Sequence, residues 1–382
     1  MFRQYFHKIK VQCAIGEYFF ESNFIYWIVS FYWKIRINFA RENHYREEPF
    51  SVNLEIYNFI IFFPRFVGAE IGGKKSHLFD NFSYSASNFG LGCQSIEADS
   101  GMYGNTEDKN ISINKLRSLF RSNKSNVVLF DANHIPENEL EELSREDFIE
   151  LRNQFTFIGC VFDYYQGQPD RISYWLEVCD LLVLFTPSLT SKVTQQWVGH
   201  KKIIIFPFTP QDRDQKLIPK YTPEKFLDFF YDGSAARHRD IFMSKLKPSS
   251  RIQKSFHKNS DPTSTSHFDY LEAMSNSIAT FTNGFTVSGE HIITDRIKEA
   301  LSVGTIPIAE YSKSLNFFLR PYIHYFPVRN RYGVWLALKF LTRNLDFTER
   351  FVLRAHSSLE RSYGDYIFWS NLIKKINSIK TY

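Results

Sequence analysis

The sequence predicts an α/β protein of two Rossmann-like halves joined by a linker. Three observations carry this expectation. Continuous apolar runs, among them Val127 to Phe130, Leu181 to Phe185 and Ile203 to Phe206, recur with helix-like stretches between them, as parallel strands covered on both faces do. A charged segment, Thr209 to Glu224, holds three prolines and no apolar period, and the strand–helix alternation starts afresh beyond it. The 382 residues also exceed one ordinary domain of about 150 residues.

Composition sets the outer bounds. Hydrophobic residues at 43% and charged residues at 23% exclude wholesale disorder. The 46 basic and 41 acidic residues leave a formal charge of +5, which suits an anionic small molecule or a membrane surface. It is too diffuse for nucleic acid, which is not expected as a partner. Cys13, Cys93, Cys160 and Cys179 form no C-x-x-C and have no histidine at metal spacing. Neither a zinc site nor a disulfide framework is expected, and the thiols fit a reducing compartment.

Taken in order, the first 50 residues read as a helical extension without a cleavable signal peptide. Ser22 to Trp33 is uncharged, but its 12 residues would span only about 18 Å as a helix, short of a bilayer core of roughly 30 Å. Followed by Lys34 and Arg36, it suits either a membrane interface or a helix packed on the protein's own body; the first reading makes the first 35 residues dispensable for the fold. Ile56 to Phe63 is a strand, followed by glycines at Gly68, Gly72 and Gly73, a helix from Ser76 to Phe89 ended by Gly90, and a strand from Leu91 to Ile96. Val127 to Phe130 is the next strand, ending at Asp131. A helical pattern over Pro136 to Gln154 precedes strand Phe155 to Phe162, helix Ile172 to Val178, and strands Leu181 to Phe185 and Ile203 to Phe206.

Past the linker, Phe226 to Tyr231 reads as a strand, Asp232-Gly233-Ser234 as a turn, and Arg239 to Leu246 as a helix. Lys247 to Thr265 is a polar loop with room for a strand near Ile252. Ser266 and Asp269 form a capping box for a helix whose apolar face is Phe268, Leu271, Met274 and Ile278. Thr294 to Val303 is a helix ended by Gly304, Thr305 to Ala309 a strand, and the last 35 residues are helical. The expected boundaries are 1–50 for the extension, 51–215 for the first half, and 216–364 for the second, with the helix over 365–382 able to return to the first.

The chemistry concentrates in Asn283 to Glu310. A glycine-bearing loop leads into a helix on which Arg296 and Glu299, three residues apart, share one face. An arginine near a helix start attracts phosphate, and a carboxylate suits vicinal hydroxyls, together the geometry of a nucleoside diphosphate. The spacing alone equally fits a surface ion pair.

The run Arg296-Ile-Lys-Glu299-Ala-Leu-Ser-Val-Gly304-Thr-Ile-Pro307-Ile resembles the nucleotide-sugar-binding segment of GT-B glycosyltransferases, most of all their exostosin-like and group-1-like branches. The resemblance implies that Glu299 holds the donor's ribose and Arg296 its diphosphate, with Gly289, Glu290 and His291 in the preceding loop. Many retaining members carry a second glutamate eight residues before the first; here that position is His291, with Glu290 beside it. More weakly, Tyr231 to Ser234 with Gly233, Arg237 and Arg239 resembles the first loop of the donor domain, and Phe351 to Ile373 the terminal helices. Gly72, Gly73 and His77 would belong to the acceptor-side loop.

A rival reading exists. Gly68-Ala-Glu-Ile-Gly-Gly73-Lys74-Lys75 nearly spells a P-loop, with Val127 to Asp131 as its partner strand, but Lys75 stands where the Mg²⁺-binding Ser or Thr belongs. For a base that deprotonates an acceptor hydroxyl, Asp131 and His134 rank first, followed by Asp163 and His77. The expectation is a metal-independent, cofactor-free glycosyltransferase that uses a nucleotide-sugar donor and a glycan or lipid-linked glycan acceptor. Its role would be cell-surface polysaccharide or lipopolysaccharide assembly, in the cytoplasm or peripheral to the inner membrane face. The alternatives are a P-loop phosphoryl or sulfuryl transferase and a non-catalytic scaffold of the same fold.

Overall fold

The computed structural model describes residues 23–39, 53–64, 66–67, 74–75, 77–98, 114–132, 145–162, 169–185, 197, 199–210, 224–234, 237–257, 267–285 and 291–380. Cys13, Gly72, Gly73, His134, Asp163, Gly289 and Glu290 lie outside them, as do the side chains of His77, Arg237 and His291.

Helix α1 (Asn23–Phe39) precedes a first series: β1 (Tyr57–Pro64), a small hairpin of β2 (Phe66–Val67) and β3 (Lys74–Lys75), α2 (His77–Phe89), β4 (Cys93–Ala98), β5 (Ser125–Asp131), α3 (Arg145–Leu151), β6 (Thr156–Val161), α4 (Pro169–Val178), β7 (Leu181–Phe185) and β8 (Ile203–Phe206). Six strands form a parallel sheet in the order β4-β1-β5-β6-β7-β8. The apolar runs are continuous because each strand feeds two cores. Phe59, Ile61, Val127, Leu129, Leu181 and Val183 point to one face; Ile60, Val128, Phe130, Leu182 and Leu184 point to the other. Period-2 alternation sends neighbours to opposite sides, and helices cover both.

The second series is β9 (Leu227–Ser234), α5 (Arg237–Met243), β10 (Ile252–His257), α6 (His267–Ser275), β11 (Ser277–Thr282), a hairpin of β12 (Gly284–Phe285) and β13 (His291–Ile292), α7 (Arg296–Ser302), β14 (Ile306–Glu310), α8 (Lys313–Phe318) and β15 (Phe326–Val328). Helices α9 (Arg331–Thr342), α10 (Leu345–Tyr363) and α11 (Asp365–Lys380) close the chain. The sheet order is β10-β9-β11-β14-β15, all parallel. Helix α11 packs on the first sheet through Phe368, Trp369, Leu372, Ile373 and Ile376. The Trp369 indole donates to Ser85 Oγ (2.8 Å), and Ser85 donates to Asp365 (2.7 Å).

Several sequence expectations change. Asp232-Gly233-Ser234 is not a turn: β9 runs on through it, paired with Ser255, Phe256 and His257 of β10. The strand allowed for near Ile252 is there, as the edge strand β10, whose half-exposed residues give no apolar run. Phe268 does not join the apolar face of α6, being 39% exposed. Within the first 35 residues, Trp33 is not peripheral to the fold: it is buried and packs edge-on against Phe326 (4.8 Å) and Phe340 (5.5 Å). Burying one such ring contributes about 1.5–3 kcal/mol. The opposite face of α1 leaves Trp27, Phe31 and Ile35 exposed at 68%, 55% and 40%.

Candidate functional site

The second sheet reverses its strand order between β9 and β11, since the chain passes outward to β10 and then back across. Ligands of open α/β sheets bind beyond the carboxyl ends of the strands at such a point. Arg296, the first residue of α7, fills it. Its Nη2 donates to the Asp232 carbonyl at the end of β9 (2.5 Å) and its Nη1 to the Phe281 carbonyl at the end of β11 (3.5 Å). The guanidinium also lies over the Tyr231 and Tyr270 rings, at 4.6 and 5.8 Å. Burial opposes its charge, but Tyr270, Tyr231 and Glu299 outweigh that penalty and hold its pKa above the ordinary guanidinium value. Gly233 makes room: a Cβ there would stand 2.8 Å from Arg296 Nη2 and 3.0 Å from the Tyr231 hydroxyl.

Glu299 follows within one turn and is half-buried. Its Oε2 accepts from the Tyr270 hydroxyl at 3.3 Å, a donor that burial keeps protonated by pushing its pKa far up. Helix α7 then stops at Gly304, whose φ of +80° a residue with a Cβ adopts at a cost; Thr305 N returns to the Ala300 carbonyl (2.8 Å). Arg239 Nε donates to the Asn283 carbonyl (3.2 Å), so two guanidinium groups meet the carboxyl end of β11.

One expectation for the start of α7 needs correcting. Its N-cap, Asp295, carries a carboxylate that places negative charge where the helix was expected to attract phosphate. That carboxylate makes no capping bond; it accepts from Thr209 N (3.1 Å) and Thr209 Oγ1 (2.6 Å). Buried Lys298 donates to the Thr209 carbonyl (2.6 Å) and pairs with Asp365 (3.4 Å). Alternate faces of one short helix therefore do different work: Asp295 and Lys298 fasten it to Thr209 and α11, while Arg296 and Glu299 face the sheet's carboxyl edge.

In the first sheet, strand order reverses between β1 and β5, and half-buried Asp131 ends β5 there. Of the base candidates with described side chains, Asp131 thus occupies a ligand-facing end. Lys74 and Lys75 pair antiparallel with Val67 and Phe66, so they sit in a hairpin, whereas a P-loop lysine opens a helix; this removes the main support for that rival. Tyr231, Asn283 and Glu310 bounded candidate segments without being assigned a role, and Tyr270 was not a candidate. Tyrosines in apolar runs read as core, and the bond from Asn283 Nδ2 to Glu310 Oε2 (2.8 Å) joins residues far apart in the chain.

No family model and no curated protein matches the sequence. Solved structures do. An alpha-glucosyltransferase in complex with UDP and a 13-mer DNA containing an HMU base matches with a TM-score of 0.55 at 11% identity, over 84% of this chain and 99% of that one. Sucrose-phosphate synthase from Thermosynechococcus elongatus matches at 0.50 and 12%, and Anabaena HepE in complex with UDP and glucose at 0.50 and 8%, each with the same coverage. The fold is GT-B. At these identities the likeness concerns the fold alone. Within that GT-B frame, the crevice holding Arg296 and Glu299 belongs to the second sheet, and Asp131 to the first.

Proposed function

We propose that this chain is a glycosyltransferase that moves a sugar from a nucleotide-sugar donor to a glycan acceptor. The observation that carries the proposal is Arg296 bridging the carboxyl ends of β9 and β11 with Glu299 within one turn. A fixed cation at the strand-order reversal meets the diphosphate, and the carboxylate accepts the ribose hydroxyls. The donor's diphosphate leaves as the acceptor oxygen attacks, and Asp131, at the corresponding end of the first sheet, is the base proposed to take the acceptor's proton. UDP is the first nucleotide to test, because two of the solved GT-B structures above were determined with it. The reaction needs no metal in this proposal, the positive charge coming from Arg296 and Arg239.

The acceptor is proposed to be a glycan of the cell surface, free or lipid-linked, with α1 meeting the membrane. Trp27, Phe31 and Ile35 are exposed on one face, Lys34 and Arg36 follow, and the helix carries no acidic residue. No helix among the described residues is long and apolar enough to cross a membrane, so contact would be interfacial. Isothermal titration with UDP, GDP, CMP and ATP, with and without EDTA, tests the core of the proposal. Binding of a nucleoside diphosphate in EDTA supports it; strictly Mg²⁺-dependent binding removes the metal-free mechanism, and no binding leaves a scaffold of the same fold.

A further inference from the structure

A second polar site adjoins the crevice. Between β11, β14, the β12–β13 hairpin and α8 lies a small, partly open cleft with room for about one water-sized group, lined by Thr282, Asn283, Thr294, Glu310 and Ser312 among others. Asn283, 6% exposed, lies at its wall, and its Oδ1 is buried without a hydrogen-bond partner. Such an orphan is costly. Its orientation is set by Glu310, whose carboxylate accepts from Asn283 Nδ2 (2.8 Å) and so leaves Oδ1 on the other side. Burial holds the Glu310 carboxyl above its ordinary pKa, against the opposing effect of that bond.

The donor side is also present. Thr282 and Thr294 hydroxyls lie 2.8 Å apart; one donates to the other, which leaves one hydroxyl proton over. An unused acceptor and a spare donor on residues that line one small space suit a hydroxyl, which gives one hydrogen bond and takes another. Neither a methyl group nor a bare hydrogen satisfies both.

We propose that this cleft seats one hydroxyl of the donor's sugar, with Asn283 Oδ1 as its acceptor, the Thr282–Thr294 pair as its donor, and Glu310 as the residue that positions the Asn283 amide. The inference rests on the nucleotide-sugar reading and narrows it to sugars bearing that hydroxyl. The cleft adjoins the crevice through the chain itself: Thr282 follows Phe281, whose carbonyl binds Arg296, and Ile297 of α7 lines the cleft. A deoxy sugar leaves both protein groups unpaired, the arrangement that discriminates most strongly between substrates.

The experiment titrates UDP, UDP-glucose and the monodeoxy analogues of UDP-glucose into the wild-type chain and into Asn283→Ala. One analogue is expected to bind wild type roughly 10- to 100-fold more weakly than UDP-glucose. Asn283→Ala should lose that discrimination while keeping its UDP affinity, and Glu310→Gln, which still offers an acceptor to Asn283 Nδ2, should retain most of it. If UDP binds but every analogue matches UDP-glucose within about threefold, or if Asn283→Ala discriminates as wild type does, the hydroxyl assignment is overturned and the nucleotide site stands. If neither UDP nor UDP-glucose binds, the nucleotide-sugar reading falls, and this inference with it.

Discussion

Replacing Glu299 by alanine separates a ligand-binding carboxylate from a surface ion pair. The residue is half-buried, and it is tied to the fold by a long bond from Tyr270 (3.3 Å) and by its charge beside the buried Arg296 guanidinium. Its backbone carbonyl, which accepts from Val303 N (3.2 Å) and Ser302 Oγ (2.8 Å), survives the change, and alanine favours the helix. The expected stability loss is therefore about 1–3 kcal/mol. Two ribose hydroxyls on an ionised carboxylate contribute about 1.5–3 kcal/mol, so Glu299→Ala should weaken nucleoside diphosphate binding roughly 10- to 150-fold. Glu299→Gln should fall between, keeping one acceptor without the charge. Titration calorimetry reads the affinity, and urea unfolding reads the stability of the same samples. A variant with unchanged affinity and an intact fold would refute the ribose role, and a large stability loss with unchanged affinity would make Glu299 a structural residue only.

Three further outcomes are expected. Gly233→Ala should push the Arg296 guanidinium off the Asp232 carbonyl, since the new Cβ would lie 2.8 Å from Nη2; losing that charged bond costs about 1.5–3 kcal/mol, and wild-type nucleotide affinity and stability together would disprove the close approach. Burial, with Arg320 and Arg354 nearby, lowers the His324 pKa to about 4 from an unfolded value of about 6.5. The unfolded chain then binds the extra proton first, so stability is full above about 6.5 and falls by about 3 kcal/mol as pH drops toward 4. His324→Gln should flatten that slope in urea titrations, and an unaltered slope would assign it elsewhere. Serine at Trp27, Phe31 and Ile35 should abolish flotation with anionic vesicles while leaving buried Trp33 and the fold in place; equal recovery would remove the membrane role of α1.

The strands of both sheets were legible because local chemistry specifies them: a run such as Leu181 to Phe185 has no polar side to show solvent, so it must lie between two layers. The end of α7 was legible at Gly304 for the same kind of reason, a backbone conformation that few other residues adopt. The pairing of Arg296 with Glu299 on one face also follows from helix geometry alone. Other features depend on what a distant segment supplies. Asp232 to Ser234 read as a turn until β10, a polar edge strand, was there to pair with it. The motif places Arg296 at a helix start, but that two of its N–H groups serve carbonyls 64 and 15 residues away was not legible in it. Asp295, which continues the same motif, turns out to grip Thr209, 86 residues earlier. Asn283 and Glu310 bracket the motif without resembling a site, because the amide's unpaired oxygen exists only once β11 and β14 lie side by side. Periodicity and backbone preference act over a few residues and are written in the sequence; hydrogen-bond partners and enclosed space arise when the sheet brings remote strand ends together, and only the tertiary structure sets them.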